Sequence, residues 1–569
     1  MDLSRTALTD RLPGSFGAPK PPLVLEIDLT RGLQTADPAD PLSALRARNT
    51  PALRDVLAGL RRGAEDDDVA GVVVHVTDAV TIAQADELGA AVAAFRAAGK
   101  ATIAWSESFG ELSPGTVSYY LAAHAQTVWM QPSGAVGLTG ITLQMSTVRG
   151  TLDKIGAQPQ IGQRHEYKTA AEQLMSTEIT APNREMTQRI ADSVLEQVSA
   201  VIRRHRGLSD EQTADAVSAS PLSGDQGVER GLVDRLGYRD DVYADLHEKL
   251  GTDGEVRLQY AHRYARHLAT RPKEQLKRRK QPVVAVVPVH GGIVTGRPAG
   301  SPLGGPTSGS ETVCAALRLA AADDDVKAVV LQVDSPGGSY VASDAIRDAI
   351  GKVKATGRPV VAAMGQVAAS GGYFVSMPAD HIVALPSTLT GSIGVLGGKV
   401  VLAETFARLG IQRESVGAGR SAAMFATTAA FDDAEWARVN EWLDIVYADF
   451  TAKGAADRGM DIGDFEPLAR GRVWTGADAH ERGLVDQLGG LEAAVVVACE
   501  RAGLDRASTT VRPVPHLSLL ERLVRADSSQ DASDAVRSGP APGLLASVTQ
   551  ALGLPLDGVL TMPYSLRIT

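Results

Sequence analysis

Along most of the chain, short apolar runs alternate with longer stretches of helical period. Residues 283–289 (VVAVVPV) form a Val-rich run that predicts a buried strand. Residues 311–325 (ETVCAALRLAAADDD) place apolar side chains at helical spacing and predict a helix. A strand at 328–334 (AVVLQVD), a helix at 343–357 and a strand at 359–365 (PVVAAMG) continue the series. Strands that are apolar on both faces and alternate with helices argue for a parallel sheet covered by helices.

The pattern occurs twice. DDDVAGVVVHV at 66–76 returns as DDDVKAVVLQV at 323–333, an offset of 257. YYLAAHAQTVWMQPSG at 119–134 parallels YFVSMPADHIVALPST at 373–388, an offset of 254. ERGLVDRLG at 229–237 returns as ERGLVDQLG at 481–489, an offset of 252. The order is kept and the offset drifts only by small indels, so the chain reads as a tandem duplication of one α/β domain. The expected organisation is an arm at 1–19, an N-terminal repeat at 20–261, a basic linker at 262–281, a C-terminal repeat at 282–511 and an extension at 512–569. The linker contains HRYARHLATRPKEQLKRRK with eight Lys or Arg. It reads as a solvated connection, with anionic lipid as the sharper alternative. In the extension, composition predicts a flexible stretch at 527–543. The amphipathic pieces at 517–526 and 544–556 are expected to dock on the body, on another subunit or on a membrane, in that order.

Composition narrows the partners. The formal net charge of −10 argues against nucleic acid, which selects for positive charge. Two cysteines, Cys314 and Cys499, cannot make a disulfide framework or a four-thiolate metal site, and are expected to be buried free thiols. No stretch has the length of a membrane span and the N-terminus lacks a signal-peptide pattern. The expected location is the cytoplasm, with peripheral membrane contact as a further possibility.

Candidate chemistry concentrates in the second repeat, in DSPGGS (334–339), AASGGY (368–373) and PSTLTGSIG (386–394). A Gly-Gly turn after a strand can aim backbone N–H groups at one point, as an oxyanion requires. A serine at a strand-to-helix turn is well presented for attack, which makes Ser370 the candidate nucleophile. No G-x-S-x-G elbow is present. Its base could be a histidine, His290 or His381, though neither lies in a motif that suggests it. A lysine serves if burial strips its proton. The C-terminal repeat offers only Arg420 within GAGRSAAMFATT (417–428), and arginine stays protonated. At offset 252 the N-terminal repeat has Lys168 within HEYKTAAEQLM (165–175), while its counterpart of the serine loop lacks Ser-Gly-Gly. One site assembled from both halves explains this complementary loss. HEYKT, HEKLG and HERGL each lack the second histidine of H-E-x-x-H, so a zinc hydrolase is not expected.

These motifs, followed by GRVWTGADAHERGLVDQLGG (471–490), resemble the signal peptide peptidase A (protease IV) family in its long, two-repeat form, over roughly residues 20–510. The resemblance implies a crotonase/Clp-protease-like fold in each repeat. It implies a serine peptidase with a Ser/Lys dyad, Ser370 as nucleophile and Lys168 as general base. Ser392 of TGSIG would orient the lysine, and Gly338 and Gly371 would form the oxyanion hole. It further implies no cofactor, hydrophobic peptide substrates such as cleaved signal peptides, and a homotetramer. Long-form members typically carry an N-terminal membrane anchor, which this sequence does not show; the C-terminal extension is a second departure. The competing readings are an inactive peptide- or membrane-protein-binding scaffold and a crotonase-like acyl-CoA enzyme.

Overall fold

The structure is a computed structural model that describes residues 21–35, 47–250, 256–272, 276, 280–298, 306–515 and 560–561. The arm at 1–19, the extension pieces at 517–526 and 544–556 and the stretch at 527–543 lie outside the described residues.

Each repeat is built on a mostly parallel sheet. In the N-terminal repeat the strand order is Arg235–Leu236, Thr127–Met130, Ala101–Ser106, Val69–His75, Leu23–Asp28 and Arg257–Tyr260, every pairing parallel. In the C-terminal repeat it is Val473–Thr475, Leu389–Gly391, Val360–Ala369, Val326–Ser335, Val283–His290 and Thr510–Pro513. There only the first pair is antiparallel. The long strand Val360–Ala369 also pairs His381–Ala384 along its first half.

The Val-rich runs become strands because both faces are covered. Val283, Ala285 and Val287 point into one core with Val313, Leu317, Ile346 and Ile350. The alternate residues Val284 and Val286 face the opposite side, under Val495 and Ala498 of the helix Leu491–Arg501. This is the two-residue period of a strand, with each face dry.

The duplication is visible element by element. Helices Leu53–Glu65 and Ser310–Ala322 each have 13 residues, Ile82–Ala97 and Tyr340–Ala355 each 16, and Ala181–Arg206 and Asp433–Arg458 each 26. Arg206 pairs with Asp234 as Arg458 pairs with Asp486, and Tyr119 donates to the Leu232 carbonyl as Tyr373 donates to Leu484.

The basic linker differs from expectation. Ala261–Thr270 is a helix docked on Leu53–Glu65, with Ala261, Tyr264 and Ala265 buried. Those residues form an apolar stripe at helical spacing, hidden in a composition dominated by Arg and His. Gly59 admits this contact, since a Cβ there would lie 2.2 Å from the Ala261 carbonyl oxygen. The N-terminal repeat therefore continues through this helix.

The two repeats interlock. Gln158–Gln163 leaves the N-terminal repeat and pairs antiparallel with Leu396–Val401 of the C-terminal one. The helix Ala181–Arg206 packs on Val473–Thr475, and its Arg189 forms a two-pronged pair with Asp478 at 2.9 and 3.0 Å. Leu560–Thr561 pairs antiparallel with Gly337–Gly338. Among the described residues, no helix is long and apolar enough to cross a membrane.

Candidate active site

Ser370 sits where the strand Val360–Ala369 turns into the helix Gly371–Ser376. Its backbone has φ 55° and ψ −113°, a conformation that costs about 1–3 kcal/mol for a residue with a side chain. The surroundings hold it there. Its N–H donates to the Gly391 carbonyl at 2.8 Å, and its own carbonyl accepts from Phe374 N–H at 2.9 Å. The result is a sharp strand-to-helix elbow without the G-x-S-x-G signature.

The glycines around it clear space. A Cβ on Gly372 would lie 2.5 Å from the Ser335 carbonyl oxygen. A Cβ on Gly371 would lie 3.0 Å from Gly337 Cα and 3.1 Å from Gly338 N, so AASGG and SPGG abut. Gly338 has φ 153°, and a Cβ there would lie 2.1 Å from the Ile293 carbonyl oxygen.

Lys168 follows the crossing strand Gln158–Gln163 and is carried with it into the C-terminal repeat. It is fully buried. Its Nζ lies 2.8 Å from Ser370 Oγ, 2.9 Å from the Ser392 carbonyl oxygen and 3.0 Å from Ser392 Oγ. No carboxylate is among these partners. Burial without a counter-charge pushes the Lys168 amine well below its ordinary value. In a neutral amine, donation of both N–H groups to the Ser392 oxygens would turn the lone pair to the Ser370 hydroxyl.

Ser370, Lys168 and Ser392 therefore meet at one point. His381 stands apart, contacting Gln487 and Arg501, and His290 is in register with Asp334. Arg420, the counterpart of Lys168, is exposed on a loop. Cys499 is buried and Cys314 half-buried, both as free thiols. Among the described residues no group of three His, Cys, Asp or Glu could hold a metal ion.

Three supporting residues escaped sequence reasoning. Gly471 has φ +80°, and a Cβ there would lie 2.4 Å from Lys168 N and 2.5 Å from its Cα and Cβ. A Cβ on Gly394 would lie 3.2 Å from Lys168 Cδ. These two glycines form the slot through which the lysine enters. Asp86, on the helix Ile82–Ala97, grips the loop before Ser392. Its Oδ2 accepts from Ser387 Oγ at 2.5 Å and Ser387 N–H at 3.1 Å, and its Oδ1 from Tyr120 at 2.6 Å. Gly394 and Gly471 lie in the motifs that carried the resemblance, so a signal existed for them. Asp86 had none.

The model of peptidase family S49 matches residues 94–253 and 352–505, and that of Clp protease matches residues 306–390. The chain belongs to peptidase family S49. Serine protease SPPA, chloroplastic, of Arabidopsis thaliana is 30% identical over 507 residues, covering 88% of this chain and 73% of its own. Protease 4 of Salmonella typhi is 30% identical over 463 residues, covering 80% and 72%. Protease 4 of Haemophilus influenzae is 28% identical over 478 residues, covering 80% and 74%. This S49 chain is a serine peptidase whose two repeats each carry part of the family match.

Proposed function

We propose that this S49 peptidase hydrolyses peptide bonds in extended hydrophobic peptides, cleaved signal peptides among them, through a Ser370/Lys168 dyad. The observation that carries this reading is the 2.8 Å approach of a fully buried, uncompensated lysine to a strained serine.

Neutral Lys168 takes the Ser370 proton as Oγ bonds to the scissile carbonyl carbon. The N–H groups of Gly371 and Gly338 hold the developing oxyanion. Collapse breaks the C–N bond, and the lysine gives its proton to the leaving amine. A water molecule then attacks the acyl-enzyme, Lys168 accepting its proton, and Ser370 is regenerated as the acid product leaves. Ser392 holds the amine in line throughout. The peptide binds as an added strand, which supplies backbone hydrogen bonds without demanding a fixed sequence.

The test is turnover of a fluorogenic apolar peptide by the full chain. Ser370→Ala and Lys168→Ala should each lose at least about a thousandfold in kcat, as removing a member of a catalytic unit does. Retained turnover in purified Lys168→Ala refutes the dyad.

A further inference from the structure

Three consecutive residues of the C-terminal repeat, Arg470, Gly471 and Arg472, meet three consecutive residues of the N-terminal one, Glu166, Tyr167 and Lys168. Gly471 receives the Lys168 backbone, where a Cβ would lie 2.4 Å from Lys168 N. Arg470 reaches Glu166 at 3.7 Å, but the two side chains are 42% and 44% exposed, and such a pair contributes little.

Arg472 is held differently. Its side chain is only 17% exposed. It donates to Glu185 Oε1 at 3.0 Å, and its guanidinium carbon lies 4.6 Å from the ring centres of both Tyr167 and Trp474. The Tyr167 hydroxyl donates to the other oxygen of Glu185 at 3.0 Å. One carboxylate therefore binds the arginine and the tyrosine together, and the cation rests on two aromatic faces.

This latch acts on the residue next to the base. Lys168 lies outside any strand, at the centre of an inverse γ-turn with φ −79° and ψ 61°. The turn is closed by Thr169 N–H on the Tyr167 carbonyl at 2.8 Å. Fixing Tyr167 thus fixes the path by which the lysine enters. The Arg472 carbonyl also accepts from Ser392 N–H at 2.6 Å, so the same residue holds the serine on which the amine rests. Other charged groups around the segment are engaged elsewhere. Arg164 pairs with Asp444, His165 lies 3.7 Å from Glu466, and Glu172 accepts from Thr180 and Asn183.

The duplication supplies an internal control. The offset of 252 that relates Lys168 to Arg420 relates Tyr167 to Gly419, Glu185 to Ala437, Arg472 to Ser220 and Trp474 to Leu222. The strand pairing is nevertheless kept, Leu222 opposite Val136 as Trp474 is opposite Thr390. The fold needs none of the four side chains. They occur together only where a lysine arrives.

We propose that Arg472 is a positioning residue that, through Tyr167, Glu185 and Trp474, latches the Lys168 turn shut against water and keeps the general base in line. This rests on the Ser370/Lys168 reading above.

Arg472→Met in the full chain keeps the apolar length and removes the ion pair. With an apolar peptide, kcat should fall at least about tenfold while KM stays within about twofold. The acid limb of kcat/KM should move up by about one pH unit, because a loosened turn admits water to the amine and favours its charged form. Tyr167→Leu should do the same, and the double variant should lose no more than either alone, since both open one latch. Brief treatment with acetic anhydride and peptide mass mapping reads the turn without hydrolysis. Lys168 should be protected in the unaltered chain and modified at least about tenfold faster in Arg472→Met. Arg470→Met should change neither the limb nor the protection. An unmoved limb in Arg472→Met, unchanged protection, additive losses in the double variant, or an equal shift in Arg470→Met overturns the proposal. Absence of hydrolysis even in the unaltered chain sinks the dyad instead, and the protection of Lys168 then decides the latch alone.

Discussion

Asp86 of the N-terminal repeat holds Ser387 of the C-terminal repeat through two hydrogen bonds, one from its hydroxyl at 2.5 Å and one from its backbone N–H at 3.1 Å. Ser387 begins the loop that presents Gly391 to the Ser370 amide and Ser392 to Lys168. One repeat thus supplies the lysine and also steadies the loop that receives it. Asp86→Ala leaves Ser387 and Tyr120 without their acceptor, at about 1–3 kcal/mol for each buried polar group orphaned. Peptidase kcat should fall while substrate KM changes little, and thermal unfolding should shift down. Asp86→Asn, which keeps one acceptor oxygen, should recover part of both.

Gly471→Ala probes the lysine slot. The added methyl meets Lys168 backbone atoms at 2.4–2.5 Å, and the residue must also hold φ +80°. The lysine segment has to move, and a shift of about 1 Å in a catalytic group can cost a hundredfold in rate. Activity should drop by at least that factor. Ser370 should remain folded in its elbow, visible as an unchanged circular dichroism spectrum.

Lys168→Met separates stability from catalysis. Burial of an amine with no counter-charge opposes folding, and Met has similar length and no charge to desolvate. The variant should be inactive, with a thermal midpoint at or above that of the unaltered protein. Lys168→Arg should also be inactive, because a guanidinium does not deprotonate.

The pH profile follows from the same burial. Protonated Lys168 cannot accept the serine proton, so kcat/KM should rise with pH through the depressed lysine value and hold above it. The limb should lie well below the ordinary lysine range near 10.4. The unfolded chain binds this proton more readily than the folded one, so the same group makes the fold less stable as pH falls through that interval. Lys168→Met should remove this contribution.

Glu87, beside Asp86, provides a contrasting titration. Burial, in contact with Gly490, raises its carboxyl to about 7 despite a backbone hydrogen bond from Leu491 that pulls the other way. A raised carboxyl favours folding where it is protonated, so its contribution should decline between about pH 4.5 and 7 and stay low above. Thermal midpoints across pH 5–8 should fall for the unaltered chain and flatten in Glu87→Gln.

Sequence and structure agree most closely where interactions are local. The Val-rich strands, the paired helices and the Ser370 turn declare themselves because their residues lie within a few positions of each other. The strand Gln158–Gln163 was invisible because its partner, Leu396–Val401, lies more than 230 residues away and neither has a strong apolar alternation. The helix Ala261–Thr270 was masked by its arginines, since only three apolar positions define its buried stripe. Asp86 looked like any acidic residue near a helix start. Its role depends on Tyr120 and Ser387, which only the folded chain brings to it.

Ser370 and Lys168 are 202 residues apart and ride on separate repeats. A chain emerging from the ribosome carries its lysine long before its serine, and domains fold as they appear. On the proposed dyad, neither half alone has the means to cut. A chain then gains its nucleophile only once the second repeat has emerged, so the ability to cut is the last property it acquires.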